Sequence, residues 1–211
     1  MKPNFWQTKN FISILLFPLT LITFSFNFLK KFNIKQHLKI KTICIGNLSA
    51  GGTGKTSLAV ELNKLLSAKF KTVFIKKKYS NQKDEYNLLK TRGKIISSKN
   101  RIAALKTAKK NFDLAILDDG LQQKNIEYNI KIVCINSYEG FGNNFLLPAG
   151  PLRENLNELK NYDIVFLNGF KKNQKLKNKI KKINNKLKIF DAIYEPTNLK
   201  KYNLKNKFVF F

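Results

Sequence analysis

A lysine and a threonine directly after a glycine cluster form a combination suited to gripping phosphate. Gly51, Gly52 and Gly54 precede Lys55-Thr56. In such a turn, backbone N–H groups and the N-terminus of the helix that follows cradle phosphate oxygens. The lysine reaches the β/γ-phosphates, and the threonine hydroxyl holds Mg²⁺. The nucleotide-binding set is therefore Ser49, Ala50, Gly51, Gly52, Thr53, Gly54, Lys55, Thr56 and Ser57. Two letters depart from common patterns. Ser49 stands where G-x-x-x-x-G-K-[ST] has its first glycine, and Ala50 stands where partition-type ATPases carry a lysine.

Three further groups have chemistry to offer. Ile116-Leu117-Asp118-Asp119 is an apolar run ending in acids, and such an aspartate binds Mg²⁺ in phosphate-loop proteins. Asp-Asp-Gly is also good turn chemistry, but the company of Lys55-Thr56 favours the metal role. Asp84-Glu85 is an acid pair in a Lys-rich polar loop. A carboxylate there either takes the proton of an acceptor hydroxyl or balances charge. Arg153 is one of only three arginines, with Arg92 and Arg101. Where lysine is the default, a planar fork suggests a phosphate contact; the alternative is an ion pair with Glu154 or Asp119 that holds the Gly- and Pro-rich 140–154 loop.

These groups need a scaffold. Ile43–Ile45 has the pattern of a buried strand, and Leu58, Leu62, Leu65 and Leu66 continue as a helix. Further strands are expected at Lys71–Ile75, Leu114–Leu117, Lys131–Ile135, Ile164–Leu167, Lys188–Tyr194 and Phe208–Phe211. Helices are expected over Lys99–Asn111, Glu154–Lys160 and Asn173–Ile183. Alternating strand and helix implies an α/β P-loop NTPase fold, a mainly parallel sheet covered on both faces. Residues 1–38 form an N-terminal membrane-associated segment and 39–211 a P-loop domain. The sequence stops inside an apparent strand, so more chain is expected to follow.

Phe11–Leu29 carries no charge, and its 19 residues make about 28 Å of helix, enough to cross a bilayer core. Pro18 interrupts it. Ser13, Thr20, Thr23 and Asn27 fall within about 80° on a helical wheel, a weak polar stripe. A single span and a helix lying in the interface plane both fit. Lys30, Lys31, Lys35, Lys39 and Lys41 follow, which sets the body on the cytoplasmic side. The net charge is +27, from 40 Lys and Arg against 13 Asp and Glu. An anionic membrane face suits this spread of lysines better than nucleic acid does, at about 1 kcal/mol per well-placed lysine. Cys44 and Cys134 lie in apolar runs as buried reduced thiols. His37, in a Lys-rich connector, is expected to face solvent or headgroups. The sequence sets no oligomeric state.

Three long motifs, in order, resemble those of the tetraacyldisaccharide 4′-kinase (lipid A 4′-kinase) family. They are Gly46-Asn47-Leu48-Ser49-Ala50-Gly51-Gly52-Thr53-Gly54-Lys55-Thr56, then Asp118-Asp119-Gly120-Leu121-Gln122, then Gly142-Asn143 with Leu146-Leu147-Pro148-Ala149-Gly150-Pro151-Leu152-Arg153-Glu154. Ser49 and an N-terminal hydrophobic helix are part of that family's pattern. The resemblance implies transfer of the γ-phosphate of ATP, with Mg²⁺, to the 4′-hydroxyl of an acylated glucosamine disaccharide 1-phosphate. The place would be the cytoplasmic face of the bacterial inner membrane. It implies catalytic roles for Asp84, Lys55, Asp119 and Arg153, with Asp84 as general base. Thr56, Asp118, Asp119 and Glu154 would be the metal neighbourhood, with Gln122 nearby. Departures exist: Lys83-Asp84-Glu85-Tyr86 replaces Gly-Asp-Glu-Pro, and Lys77-Lys78-Tyr79-Ser80 replaces Arg-Gly-Tyr-Gly. The family's aspartate also pairs with a C-terminal histidine, and His37 is the only histidine here. The expectation is ATP–Mg²⁺ binding with slow turnover; a membrane-associated ATPase switch and a nucleotide-binding remnant are the alternatives.

Overall fold

The computed structural model describes residues 2–78, 83–169 and 172–193. Its centre is one seven-stranded sheet, all parallel, in the order β3-β2-β4-β1-β5-β6-β7. The strands are β1 (Lys41–Gly46), β2 (Thr72–Lys77), β3 (Ile95–Ser98), β4 (Leu114–Asp118), β5 (Ile130–Asn136), β6 (Ile164–Asn168) and β7 (Lys188–Ala192). The chain leaves β1, builds β2 and β3 on one side, returns through β4, and then adds β5 to β7 on the other. That reversal puts a crevice beyond the carboxyl ends of β1 and β4, where ligands of open α/β sheets bind.

The sheet is buried on both faces, so its strands are continuous apolar runs. Side chains still alternate. Cys44, Val73, Ile75, Ala115 and Leu117 enter one core cluster; Ile43, Ile45, Phe74, Leu114 and Ile116 enter the other. Helices α1 (Phe11–Leu15) and α2 (Thr20–Lys31) precede the sheet. The second cluster is covered by α3 (Lys55–Leu66) and α4 (Lys83–Arg92), through Ala59, Leu62 and Leu89. The first is covered by α5 (Arg101–Ala108) and α6 (Gln174–Ile183), through Leu105 and Ile180.

Several expectations change. Asp84-Glu85 does not lie in a loop but in the first turn of α4, where acids favour the positive end of the helix dipole; Lys90 and Arg92 occupy its last turn. Strand β3 has no counterpart in the sequence analysis, being four residues long, half-buried and half serine. The second strand extends past Ile75 to Lys77. The helix expected over Glu154–Lys160 is a 3-10 helix, Leu156–Asn161. Phe208–Phe211, Tyr194, Tyr79 and Ser80 lie outside the described residues.

The N-terminal stretch is not one helix. Between α1 and α2, Phe17–Leu19 forms a 3-10 turn around Pro18, which lacks an N–H to continue the ladder. Among the described residues no helix is long and apolar enough to cross a membrane. The polar stripe faces inward. Ser13 and Thr20 are buried, the Thr23 hydroxyl donates to Leu147 O at 2.7 Å, and Asn27 Nδ2 donates to Arg153 O at 2.7 Å. Phe11, Leu15, Leu21, Phe24, Phe28 and Leu29 point outward, each at least half exposed. The helix thus carries its apolar side away from the core, the inverse of a surface helix on a globular fold.

Candidate functional site

The loop from Asn47 to Gly54 joins β1 to α3. Gly54 caps α3 at φ 78°, a left-handed conformation that glycine adopts without strain. The loop is tied from within and from behind. Asn47 Nδ2 donates to Ser49 O at 2.6 Å, and Gln122 Nε2 donates to Asn47 O at 2.8 Å. Ala50 N donates to Pro151 O and Arg153 N to Leu48 O, both at 2.7 Å. The 140–154 loop is therefore a wall of the phosphate loop. Gly120 lets β4 turn tightly against β1: a Cβ there would lie 2.7 Å from Cys44 Sγ.

Strand register sets the chemistry. Asp118 ends β4 level with Ile45 on β1 and Lys76 on β2, and it shares the face of Ile116, beneath α3. Thr56 Oγ1 donates to Asp118 Oδ2 at 3.2 Å. Asp118 Oδ1 is buried and has no hydrogen-bond partner among the described residues. A buried carboxylate oxygen without a donor is costly unless something cationic binds it. Thr56 and Asp118 are hard oxygen donors at a phosphate loop, the set that suits Mg²⁺, which uses one or two carboxylates and completes its shell with phosphates and water. Among the described residues no group of three or more His, Cys, Asp or Glu is placed to hold a metal ion.

Asp119, at φ 60°, turns away from the sheet. Its Oδ1 lies 3.8 Å from Lys55 Nζ and 3.4 Å from Arg153 Nη1. Arg153 Nη1 also donates to Asn47 Oδ1 at 3.3 Å. So the structure gathers Lys55, Thr56, Asp118, Asp119 and Arg153 around one loop. Asp119 here aligns two cations; Arg153 makes the Asp119 pair that the sequence analysis held as its alternative role.

Glu154 stands apart. Lys124 engages its Oε1 at 2.7 Å, and the Tyr162 hydroxyl donates to its Oε2 at 2.9 Å. Both oxygens are thus used in a buried network that continues through Lys124 to Glu158 and on to Lys31 of α2. Thr56 and Asp118 are not among its partners, so Glu154 braces the loop where a metal-facing position was expected. Burial would raise the Glu158 pKa, but hydrogen bonds from Lys31 and Lys124 outweigh it and hold that pKa at about 2.

Asp84 is exposed on α4 and makes no ion pair or hydrogen bond among the described residues. Its neighbour Glu85 reaches Lys76 Nζ at 2.5 Å. His37 is exposed and lies 3.4 Å from Glu127, remote from this chemistry. Cys44 and Cys134 are buried free thiols, pushed up to about 12 by desolvation, and so unreactive.

Two residues escape the sequence analysis. Arg101, the first residue of α5, is buried and donates to Asp119 O at 2.6 Å and Gln123 Oε1 at 3.2 Å. It fixes the backbone of the left-handed Asp119. The scarcity of arginine that singled out Arg153 applies equally to Arg101. Lys76 is the other; its ammonium lies 2.7 Å from Asp118 Oδ2. Two cavities flank the loop. One, of about 830 Å³, is lined by Gly52, Thr53, Asn136, Asn168 and Asn173. The other, of about 640 Å³, is lined by Lys30, Lys77, Lys99, Arg101, Asp119 and Arg153.

A parallel sheet with a glycine loop opening α3, and a β4 aspartate facing Thr56, defines a P-loop NTPase fold. Solved structures agree on that fold: LpxK from Aquifex aeolicus in complex with ATP (TM-score 0.64, 24% identity, covering 74% of this chain and 58% of that one) and the hydrogenase maturation factor HypB from Archaeoglobus fulgidus (TM-score 0.51, 14% identity, 86% and 89%). Within that class, residues 12–208 match the family model of tetraacyldisaccharide-1-P 4′-kinase. The tetraacyldisaccharide 4′-kinase of Pelagibacter ubique (strain HTCC1062) is 42% identical over 215 residues, covering 100% of this chain and 68% of the relative. That of Rickettsia felis (strain ATCC VR-1525 / URRWXCal2) is 38% identical over 188 residues, covering 79% and 58%. The chain belongs to the tetraacyldisaccharide 4′-kinase family, and it spans about three-fifths to two-thirds of the length of these relatives.

Proposed function

We propose that the chain transfers the γ-phosphate of ATP to the 4′-hydroxyl of a tetraacyldisaccharide 1-phosphate. The convergence of Lys55, Thr56, Asp118, Asp119 and Arg153 on one phosphate loop carries this reading. The nucleoside end occupies the cavity beside Thr53 and Asn168, and the phosphates lie on the backbone of Gly51–Thr56. Lys55 and Arg153, now paired with Asp119, turn to the β/γ-phosphates and neutralise the charge that spreads over the transferring group. Thr56 and Asp118 would hold Mg²⁺, which would supply Lewis-acid stabilisation of the charge on the phosphates. Asp84, on the first turn of α4, accepts the proton of the attacking hydroxyl. The basic cavity bounded by Lys30, Lys77, Lys99 and Arg101 receives the anionic disaccharide headgroup.

The outward apolar side of α1 and α2 supports an in-plane position on the cytoplasmic face of the inner membrane, with the acyl chains beside it. The +27 charge adds attraction to anionic lipid. The test supplies ATP, Mg²⁺ and the tetraacyldisaccharide 1-phosphate in detergent and follows phosphate on the lipid. Transfer that disappears in Lys55→Ala and Asp84→Ala supports the proposal. ATP hydrolysis indifferent to the acceptor, or ATP binding without any transfer, overturns it.

A further inference from the structure

Lys76 is left without a task by the reaction as assigned, yet it occupies the heart of the phosphate site. Its side chain is 3% exposed. The alternation of β2 turns Val73 and Ile75 to one face and Phe74 and Lys76 to the other, and the register sets Lys76 level with Asp118. Its ammonium lies 2.7 Å from Asp118 Oδ2 and 2.5 Å from Glu85 Oε2. The same Asp118 oxygen accepts from Thr56, while Asp118 Oδ1 is unpartnered among the described residues. Two carboxylates within hydrogen-bond distance favour the charged form of this buried ammonium. Stability does not explain the choice. A buried ion pair is often no more stabilising than well-packed apolar side chains of the same volume.

We propose that Lys76 is a fixed internal cation of the phosphate site. It neutralises Asp118 and Glu85 while no divalent ion is present, so that a polyphosphate enters against less repulsion, and it leaves Asp118 Oδ1 open for the metal. It acts through Asp118 and Glu85 and is a positioning residue. Through Glu85 it also pins the first turn of α4, the turn that bears Asp84. This rests on the nucleotide–metal reading above. It predicts that Mg²⁺ and ATP help each other less than they would without Lys76, because part of the required positive charge is already in place.

The test measures ATP affinity of the full chain by calorimetry, in EDTA and at rising Mg²⁺. Lys76→Met is expected to weaken metal-free ATP binding about tenfold, the effect of one charge a few ångströms away at a partly hydrated site. Mg²⁺ recovers most of that loss, so the enhancement of ATP binding by Mg²⁺ grows about tenfold over wild type. Lys76→Arg keeps the wild-type ratio. Glu85→Gln moves the ratio the other way, about threefold, and serves if Lys76→Met does not fold. Equal weakening of Lys76→Met with and without Mg²⁺, or an unchanged ratio in Glu85→Gln, overturns the assignment while wild-type ATP binding keeps the kinase reading. A wild-type chain that binds no ATP in either condition overturns both.

Discussion

Asp118 and Asp84 differ in how the fold holds them. Asp118 sits inside the sheet, 1% exposed, level with Ile45 and Lys76, with Thr56 above it. Its position follows from hydrogen-bond register, which cannot slip without turning every side chain of β4 to the wrong face. Asp84 rides on the outside of α4, which is held by Leu89 in the core, by the Lys76–Glu85 pair and by Asn63 Nδ2 donating to Arg92 O. On the proposed function, the phosphate end is built into the scaffold and the acceptor end is fastened to it. A P-loop fold can keep one end constant and change the other without rebuilding its core.

If that division holds, removing the phosphate grip has the largest effect. Lys55→Ala should cost about 10³-fold in phosphoryl transfer and weaken ATP binding as well. Next, Asp84→Asn should cut transfer about 10²-fold and leave ATP affinity within about twofold. Calorimetry beside a transfer assay separates the two. Parallel loss of ATP affinity in Asp84→Asn would break the division between the ends. A smaller effect is expected at Glu158, which joins α2 to the loop wall. Glu158→Gln should lower stability by about 2 kcal/mol near pH 7, read from denaturant unfolding. Because the folded pKa lies at about 2, below its ordinary 4.5, this contribution is complete above about pH 5. It fades as pH falls toward 2, so wild type and variant should converge there. Smallest, Asn27→Leu removes the hydrogen bond to Arg153 O. It should cost about 1 kcal/mol of stability and a few-fold in ATP affinity, and a loss of transfer without either change would contradict its role.

The phosphate loop was legible because its letters are backbone requirements: glycines where a left-handed turn is needed, then Lys-Thr at a helix start. Asp118 was legible as the end of an apolar run. Lys76 was not. Val73-Phe74-Ile75 is apolar on both faces, so period-two alternation is invisible, and the apolar run stops where the lysines begin. In a chain with 40 basic residues, one more lysine looks like surface. Glu154 misled for a related reason: its neighbour Arg153 faces the site, while Glu154 itself turns to Lys124 and Tyr162. The polar stripe of Ser13, Thr20, Thr23 and Asn27 was visible, but its direction was not. Only the carbonyls of Leu147 and Arg153, distant in sequence, turn it inward.

The two hydrogen bonds from α2 to the 140–154 loop end on main-chain carbonyls. Every residue has a carbonyl, so the helix grips the loop without regard to which side chains the loop carries. Arg153 can therefore be exchanged for a neutral residue while the helix keeps its seat, and the outer face of the helix can vary while Arg153 keeps its own. Changes on the exposed apolar face of α2 and changes in the side chains of the loop therefore act through separate letters of the sequence, although the two structures touch.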